Sequence, residues 1–265
     1  MSSLPPSESG RGAFEVASEA VIEAGNIIMA HLPGEKRISY KKGRSNIVTD
    51  VDVLAEEKIA ALLQQEYPHF GIMTEESADI AGDSPYTWII DPIDGTRNYA
   101  YGIPHFCVAL ALARGEELVL GISYDPVREE LFRAEKGQGA FLNDSPISVS
   151  SKISLEESLI GFDMGYDAEI GQEILGVANA LWPGVVSVRV MGSAALALAY
   201  TACGRLDLYI HLSLYPWDLA SGILLVEEAG GVVTELDGQP VSIHSKSVIA
   251  TSKEIHQDFM KRVSG

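Results

Sequence analysis

Cysteine is nearly absent from this chain: Cys107 and Cys203 are the two in 265 residues. Both lie in apolar runs, which predicts buried free thiols. Neither stands in a CxxC or Cys/His spacing that would hold zinc. Basic residues are scarce as well: Lys+Arg 19 against Asp+Glu 37, a formal net charge of -18. That balance argues against a nucleic-acid partner, which needs a basic face. It suits a chain that collects divalent cations, although solubility accounts for it equally well. No stretch reaches the ~18 apolar residues of a membrane-spanning helix. The opening MSSLPPSESGRG has no charged segment followed by an apolar one, so it does not read as a secretory signal. It reads as a short disordered lead. Internal repeats and low-complexity tracts are also missing. A cytoplasmic protein with no membrane partner is the expectation.

What is present is apolar material: 46% hydrophobic residues, enough for a sizeable core in one large domain or two packed ones. Phe14, Ala17, Val21, Ala24 and Ile28 recur at helical spacing. They predict a helix over 14–32, ended by Pro33-Gly34. A short strand over 37–41 and a solvated basic turn over 41–46 follow. Residues 47–52 lead into a second helix reaching about Glu66, with Asp50 or Asp52 as its N-cap. A strand over 70–74 delivers Glu75 and Glu76. Strands over 107–113, 118–124 and 130–135 read as antiparallel hairpins. Gly137-Gln138-Gly139 resembles the start of a dinucleotide fingerprint but lacks the helix opener and third glycine, so it reads as a turn. A linker near 148–157 separates an α+β first half, 1–150, from an α/β second half, 151–265. There, strands over 158–162, 185–190, 206–210 and 232–235 alternate with helices over 168–181, 193–203 and 218–229.

The chain is organised around residues 87–112, TWIIDPIDGTRNYAYGIPHFCVALAL. An apolar strand over 88–90 breaks into Asp91-Pro92-Ile93-Asp94-Gly95-Thr96. Pro92 lacks an N–H and pushes Asp91 out of the helical region, and Gly95 lets the backbone approach a ligand. Asp91 and Asp94 should share a tight turn at a strand end, tolerable if a divalent cation lies between them. A bare Asp-Gly pair would read as a solvated turn; the whole string argues for a site.

Asp91-Pro92-Ile93-Asp94-Gly95-Thr96-Arg97-Asn98-Tyr99 resembles the first signature of the inositol monophosphatase family, DP(I/L)DGT-x-N-F. Trp217-Asp218-Leu219-Ala220-Ser221-Gly222, running on to Glu228-Ala229-Gly230-Gly231, resembles the second, and Glu75-Glu76 resembles the acidic pair before the first. Tyr99 stands where Phe is usual and Ser221 where Ala is usual. The resemblance implies a layered αβαβα sandwich of the inositol monophosphatase / fructose-1,6-bisphosphatase type, with the site between the halves. It also implies a homodimer and a Mg²⁺-dependent, lithium-sensitive phosphomonoesterase acting on a small phosphorylated alcohol such as inositol monophosphate. Fructose 1,6-bisphosphate, histidinol phosphate and phosphoadenosine phosphate are substrates of relatives. A regulatory binding protein that kept the fold is the alternative from another class.

The candidate metal ligands are Glu75, Asp91, the Ile93 carbonyl, Asp94 and Asp218, hard oxygen donors that suit Mg²⁺. Two such ions can hold the attacking and leaving oxygens of an in-line displacement. The resemblance assigns Glu75, Asp91 and Ile93 to a first ion and Asp91, Asp94 and Asp218 to a second. It makes Thr96, backed by Asp52, the group that orients and helps deprotonate water, with Glu76 as acidic neighbour. Gly95 and Thr96 amides should cradle phosphate. Asp218 taken alone would be a helix N-cap. Gly192-Ser193-Ala194 matches a family segment near the polyol, and reads equally as a turn with Ser193 as N-cap. His211, seven residues before Asp218, stands where inositol-specific relatives commonly have a glutamate. A neutral imidazole offers one donor and one acceptor; a protonated one would favour an additional anionic group. Alternatively His211 ends a strand and faces solvent.

Overall fold

The computed structural model describes residues 4–42 and 46–263. Helix α1 (Ala13–His31) buries Val16, Ala17, Ala20, Val21, Ala24 and Ile28, the stripe that the spacing predicts. It packs with α2 (Asp50–Glu66), which buries Val51, Ala55, Ile59 and Leu63. Neither Asp50 nor Asp52 caps α2. The cap is Thr49, whose hydroxyl accepts from the Val51 and Asp52 amides, while the Asp52 carboxylate accepts from the Thr49 N–H. Asp52 is thus the third residue of a capping box. The segment before α1 is not a loose lead from Ser7 onward. Ser9 and Arg11 bond Glu66 at the end of α2, and Arg11 also pairs with Glu19; residues 1–3 lie outside the described residues. Between α1 and α2, β1 (Ile38–Lys42) and β2 (Asn46–Thr49) form an antiparallel ribbon. Of the expected basic turn, Gly43, Arg44 and Ser45 lie outside the described residues.

A seven-stranded sheet follows: β3 (Gly71–Thr74), β4 (Tyr86–Asp94), β5 (Cys107–Arg114), β6 (Glu117–Asp125), β7 (Glu130–Glu135), β8 (Gly139–Leu142) and β9 (Ser145–Pro146), in that spatial order. Only β3–β4 is parallel among its pairings. A short α3 (Thr96–Ala100) interrupts it after β4. Alternation along the strands divides the sheet's two faces. Trp88, Ile90, Leu110, Leu112, Leu120 and Ile122 join the α1–α2 core. Ile89, Ala109, Ala111 and Ala113 join the core on the opposite face. The Gly137-Gln138-Gly139 stretch is the β7–β8 turn, its Gly137 and Gly139 amides held by Glu228.

The second half builds a five-stranded sheet in the order β11-β10-β12-β14-β13, from β10 (Leu159–Phe162), β11 (Ser187–Val190), β12 (Leu208–His211), β13 (Val232–Thr234) and β14 (Val248–Thr251). Strand β10 runs parallel to β11 and β12. Helices α5 (Ala194–Ala202) and α6 (Pro216–Glu228) lie between the sheets and share one apolar core with both. Helices α4 (Ala168–Leu181) and α7 (Lys253–Val263) cover the outer face. The layers run α1/α2, sheet, α5/α6, sheet, α4/α7, the expected sandwich. Gly121 on β6 seats α6: a Cβ there would lie 2.8 Å from the Ser221 carbonyl oxygen. Both departures from the signatures are explained. Ser221 pairs its hydroxyl with Ser123 at 3.0 Å, and Tyr99 donates to the Ile28 carbonyl at 3.1 Å. Cys107 is buried as expected; Cys203, at the end of α5, is only half-buried.

Candidate active site

The strand that carries the first signature does not break at Asp91. β4 continues to Asp94, pairing Asp91 with Ala109 and Asp94 with Cys107 across an irregularity. Three steps on β4 match two on β5, so β4 holds one extra residue, a bulge rather than a tight turn. The bulge has a chemical consequence. Residues three apart on a regular strand point to opposite faces; the extra residue resets the alternation, so Asp91 and Asp94 share a face. Pro92, with no N–H to pair, fits there.

Each carboxylate is held by backbone amides. Asp91 Oδ1 accepts from the Ile93 N–H at 3.0 Å. Asp94 reaches across the molecule to the N-terminus of α5, accepting from the amides of Ala194 (3.1 Å) and Ala195 (2.9 Å) and from the Ser193 hydroxyl. Ser193 sits at the N-cap position but makes no cap bond itself; Asp94 performs that service for the helix. Asp218 does not open α6. Pro216 does, Tyr215 stands at the cap, and Asp218 is the third helical residue, accepting the Tyr215 N–H at 2.7 Å. One oxygen each from Asp91, Asp94 and Asp218 falls within 4.8 Å of the others. Burial, then the charges of Glu75, Asp94 and Asp218, push the Asp91 carboxyl well above the usual range. Burial and Glu75 do the same to Asp218. At Asp94 burial raises the value and the α5 amides restrain it. Such a cluster is costly without positive charge.

Glu75 is close enough to raise both Asp91 and Asp218 but is not among the three converging carboxylates. Its Oε1 is 2.8 Å from Lys41 Nζ, which also lies 2.7 Å from Glu76 Oε1. Lys41 therefore belongs to the site and not to a solvated turn. Burial and the Glu75 charge push Glu76 up to about 8. Thr96 Oγ1 lies 3.0 Å from Asp52 Oδ1 and 3.0 Å from the Ile93 carbonyl; its single proton serves one acceptor at a time. Burial pushes Asp52 up to about 6.

A cavity opens beside the carboxylates, bordered by Gly95, Thr96, Arg97, Gly192, Ser193, Ala194, His211 and Asp218. Gly95 has φ +100 and a Cβ there would lie 3.0 Å from the Gly192 carbonyl oxygen, so only glycine fits without strain. His211 ends β12 but is buried. Its Nδ1 accepts the Ser213 N–H at 3.0 Å, which puts the ring proton on Nε2. Burial, then the Arg97 charge, hold the imidazole down to about 3. Burial overturns the solvent-facing alternative, and the Ser213 contact with the lowered basicity favours the neutral ring over the protonated one. Sequence reasoning missed Asp163, Tyr166 and Arg97 on the walls. Asp163 accepts from the Gly192 N–H and, at 2.8 Å, from the Tyr209 hydroxyl. One signal was available for it: Asp163 follows β10 directly, and ligand sites in α/β sheets lie beyond the carboxyl ends of strands.

The sequence matches the model of the inositol monophosphatase family over residues 12–264. It is 40% identical over 256 residues to an inositol monophosphatase of Dictyostelium discoideum, covering 94% of this chain and 93% of that one. It is 36% identical to the Nus factor SuhB of Haemophilus influenzae, covering 94% and 95%. The crystal structure of the extragenic suppressor protein SuhB from Bartonella henselae superimposes with a TM-score of 0.90 at 35% identity, covering 94% and 97%. The chain belongs to the inositol monophosphatase family and is a phosphoric monoester hydrolase of the inositol-phosphate phosphatase type.

Proposed function

We propose that the protein hydrolyses a small phosphorylated alcohol with Mg²⁺ as cofactor, inositol 1-phosphate being the first substrate to test. The observation that carries this is the convergence of three carboxylates, buried Asp91 and Asp94 and half-buried Asp218, near the Thr96–Asp52 pair. Their hard oxygens fit Mg²⁺. Asp91, Asp94 and Asp218 would hold it together with Glu75 and the Ile93 carbonyl, Glu75 giving up its contact with Lys41. When bound, the cation supplies positive charge to the phosphate and to the breaking P–O bond. The remaining work falls to the chain. The Gly95 and Thr96 amides orient phosphate oxygens. Thr96 Oγ1 accepts a hydrogen bond from the attacking water while donating its own to Asp52, whose raised basicity suits it to take the proton. Glu76, whose charge interacts with Asp52, holds Lys41 at 2.7 Å. Gly192, Ser193, Ala194 and His211 border the alcohol. The division at residue 150 is part of the proposal: one half supplies Glu75 and the segment from Asp91 to Thr96, the other Asp218. A cytoplasmic homodimer is included on the family resemblance; sedimentation tests the dimer.

A second reading, a regulatory binding protein of the same fold, is favoured by one observation, the name of the Haemophilus influenzae relative. Phosphate release from inositol 1-phosphate, fructose 1,6-bisphosphate and histidinol phosphate by EDTA-treated protein separates the two. Hydrolysis should return with Mg²⁺ and fall with Li⁺. No release from any of the three with Mg²⁺ present would favour the binding reading.

A further inference from the structure

The cavity lining carries donors as well as carboxylates. Arg97, the variable position within the first signature, is half-buried and lines the cavity. Its guanidinium lies 5.0 Å from the centroid of the Tyr166 ring, a cation–π contact. Its charge reaches His211, Asp163 and Tyr166, yet among the described residues it makes no ion pair. Asp163 feels the Arg97 charge, but its two oxygens already accept from the Gly192 amide and the Tyr209 hydroxyl. His211 presents an N–H at Nε2, because Nδ1 is an acceptor for Ser213. Ser213 lines the same wall, and Gly165 leaves it open: a Cβ there would stand 3.1 Å from Ser213 Cβ and 3.6 Å from His211 Cε1. A neutral polyol offers hydroxyls that donate as well as accept. A wall of guanidinium, imidazole N–H and hydroxyl matches a group that only accepts.

We propose that Arg97, with His211 and Ser213, forms a subsite for a second anionic group, so that among phosphomonoesters this enzyme prefers those carrying a carboxylate or another phosphate. This rests on the phosphatase reading above and narrows its substrate class. Arg97 sets specificity through a direct contact; it takes no part in moving the proton at Thr96.

Matched substrates isolate the second anion. Glycerol 2-phosphate and 2-phosphoglycerate differ by one carboxylate; fructose 1-phosphate and fructose 1,6-bisphosphate differ by one phosphate. With Mg²⁺ present, wild-type kcat/KM should favour the anionic member of at least one pair by about tenfold or more, as a charge-assisted contact provides. Arg97→Met should bring that ratio to within about twofold, mainly by raising KM for the anionic member. Arg97→Lys, which keeps the charge and loses the fork, should retain part of the preference. A wild-type ratio near one in both pairs would overturn the proposal. So would an Arg97→Met variant that slows both members equally, since that is what a purely structural Arg97–Tyr166 contact predicts. If wild-type protein hydrolyses none of the four and no inositol 1-phosphate either, the phosphatase reading fails; in any case where the four are not turned over, calorimetric binding of the same four compounds decides the subsite by the same ratios.

Discussion

Asp91 and Asp94 are chemically identical and three residues apart, yet the fold uses them differently. Asp91 accepts a single amide and is raised by burial and by four neighbouring carboxylates. Asp94 caps α5 with its amides and Ser193. Exchange for the isosteric amide should therefore split them. In EDTA, Asp91→Asn should raise Tm, because a buried repulsive charge is removed. Asp94→Asn should lower it, through a loss of about 1 kcal/mol of stability, the scale of a damaged helix cap. Both should cut phosphate release by about 100-fold or more. Melting curves of the two variants decide it: a shift of the same sign in both would refute the distinction. The titrating groups give a second prediction. Asp52 and Asp163 sit near 6 and Glu76 near 8, all above their values in an unfolded chain. A raised folded pKa means that the native state holds the extra proton. The stability it confers is complete below the ordinary carboxylate range and is lost as pH climbs through 6 and then 8. Metal-free protein should melt several degrees lower at about pH 8.5 than at about pH 5.5. An unchanged or higher Tm at the alkaline end would show that these carboxyls are not strained.

At the scale of elements, the site depends on how closely α6 approaches β6. Gly121 leaves room for the Ser221 backbone, and Asp218 rides on the same helix. Gly121→Ala should push α6 away, costing about 1–3 kcal/mol as overpacking does, and should weaken Mg²⁺ binding through Asp218 although the substitution lies on another strand. Calorimetric affinity and Tm should fall together; a stable variant with unchanged affinity would show that α6 is not the lever. Legibility from sequence also divides by element. Helices α1, α2, α4 and α6 were readable from local periodicity and stop signals. Strand β4 was misread at its end, because Asp-Pro and Asp-Gly are turn signals and only pairing with β5 reveals a bulge. Strand β14 was missed because its four residues follow a polar run. Helix α7 was missed because only Ile255 and Phe259 of its buried contacts stand out. Lys41 is basic sequence like its neighbours; what makes it part of the site is a contact with residues 34 and 35 positions away. Asp163 and Tyr166 likewise reach the cavity only because α5 and α6 join the second sheet to the first.

At the scale of the molecule, two sheets of different construction are held by α5 and α6 so that acidic residues from distant segments meet. The seven-stranded sheet brings Asp91 and Asp94, α6 brings Asp218, α2 brings Asp52, and Glu75 directly follows β3. Motifs could announce these residues, since Asp-Pro-Ile-Asp-Gly-Thr and Trp-Asp are local strings. They could not announce that Asp94 is tied to α5 or that the cavity lining carries Arg97 and a buried His211. The central claim is that the three converging carboxylates form a divalent-cation site. Calorimetric titration of metal-free protein with Mg²⁺, wild type against an Asp91→Asn/Asp218→Asn double variant, tests it most directly. Saturable binding to wild type that disappears in the double variant is the predicted result. Equal Mg²⁺ binding by both proteins would contradict it.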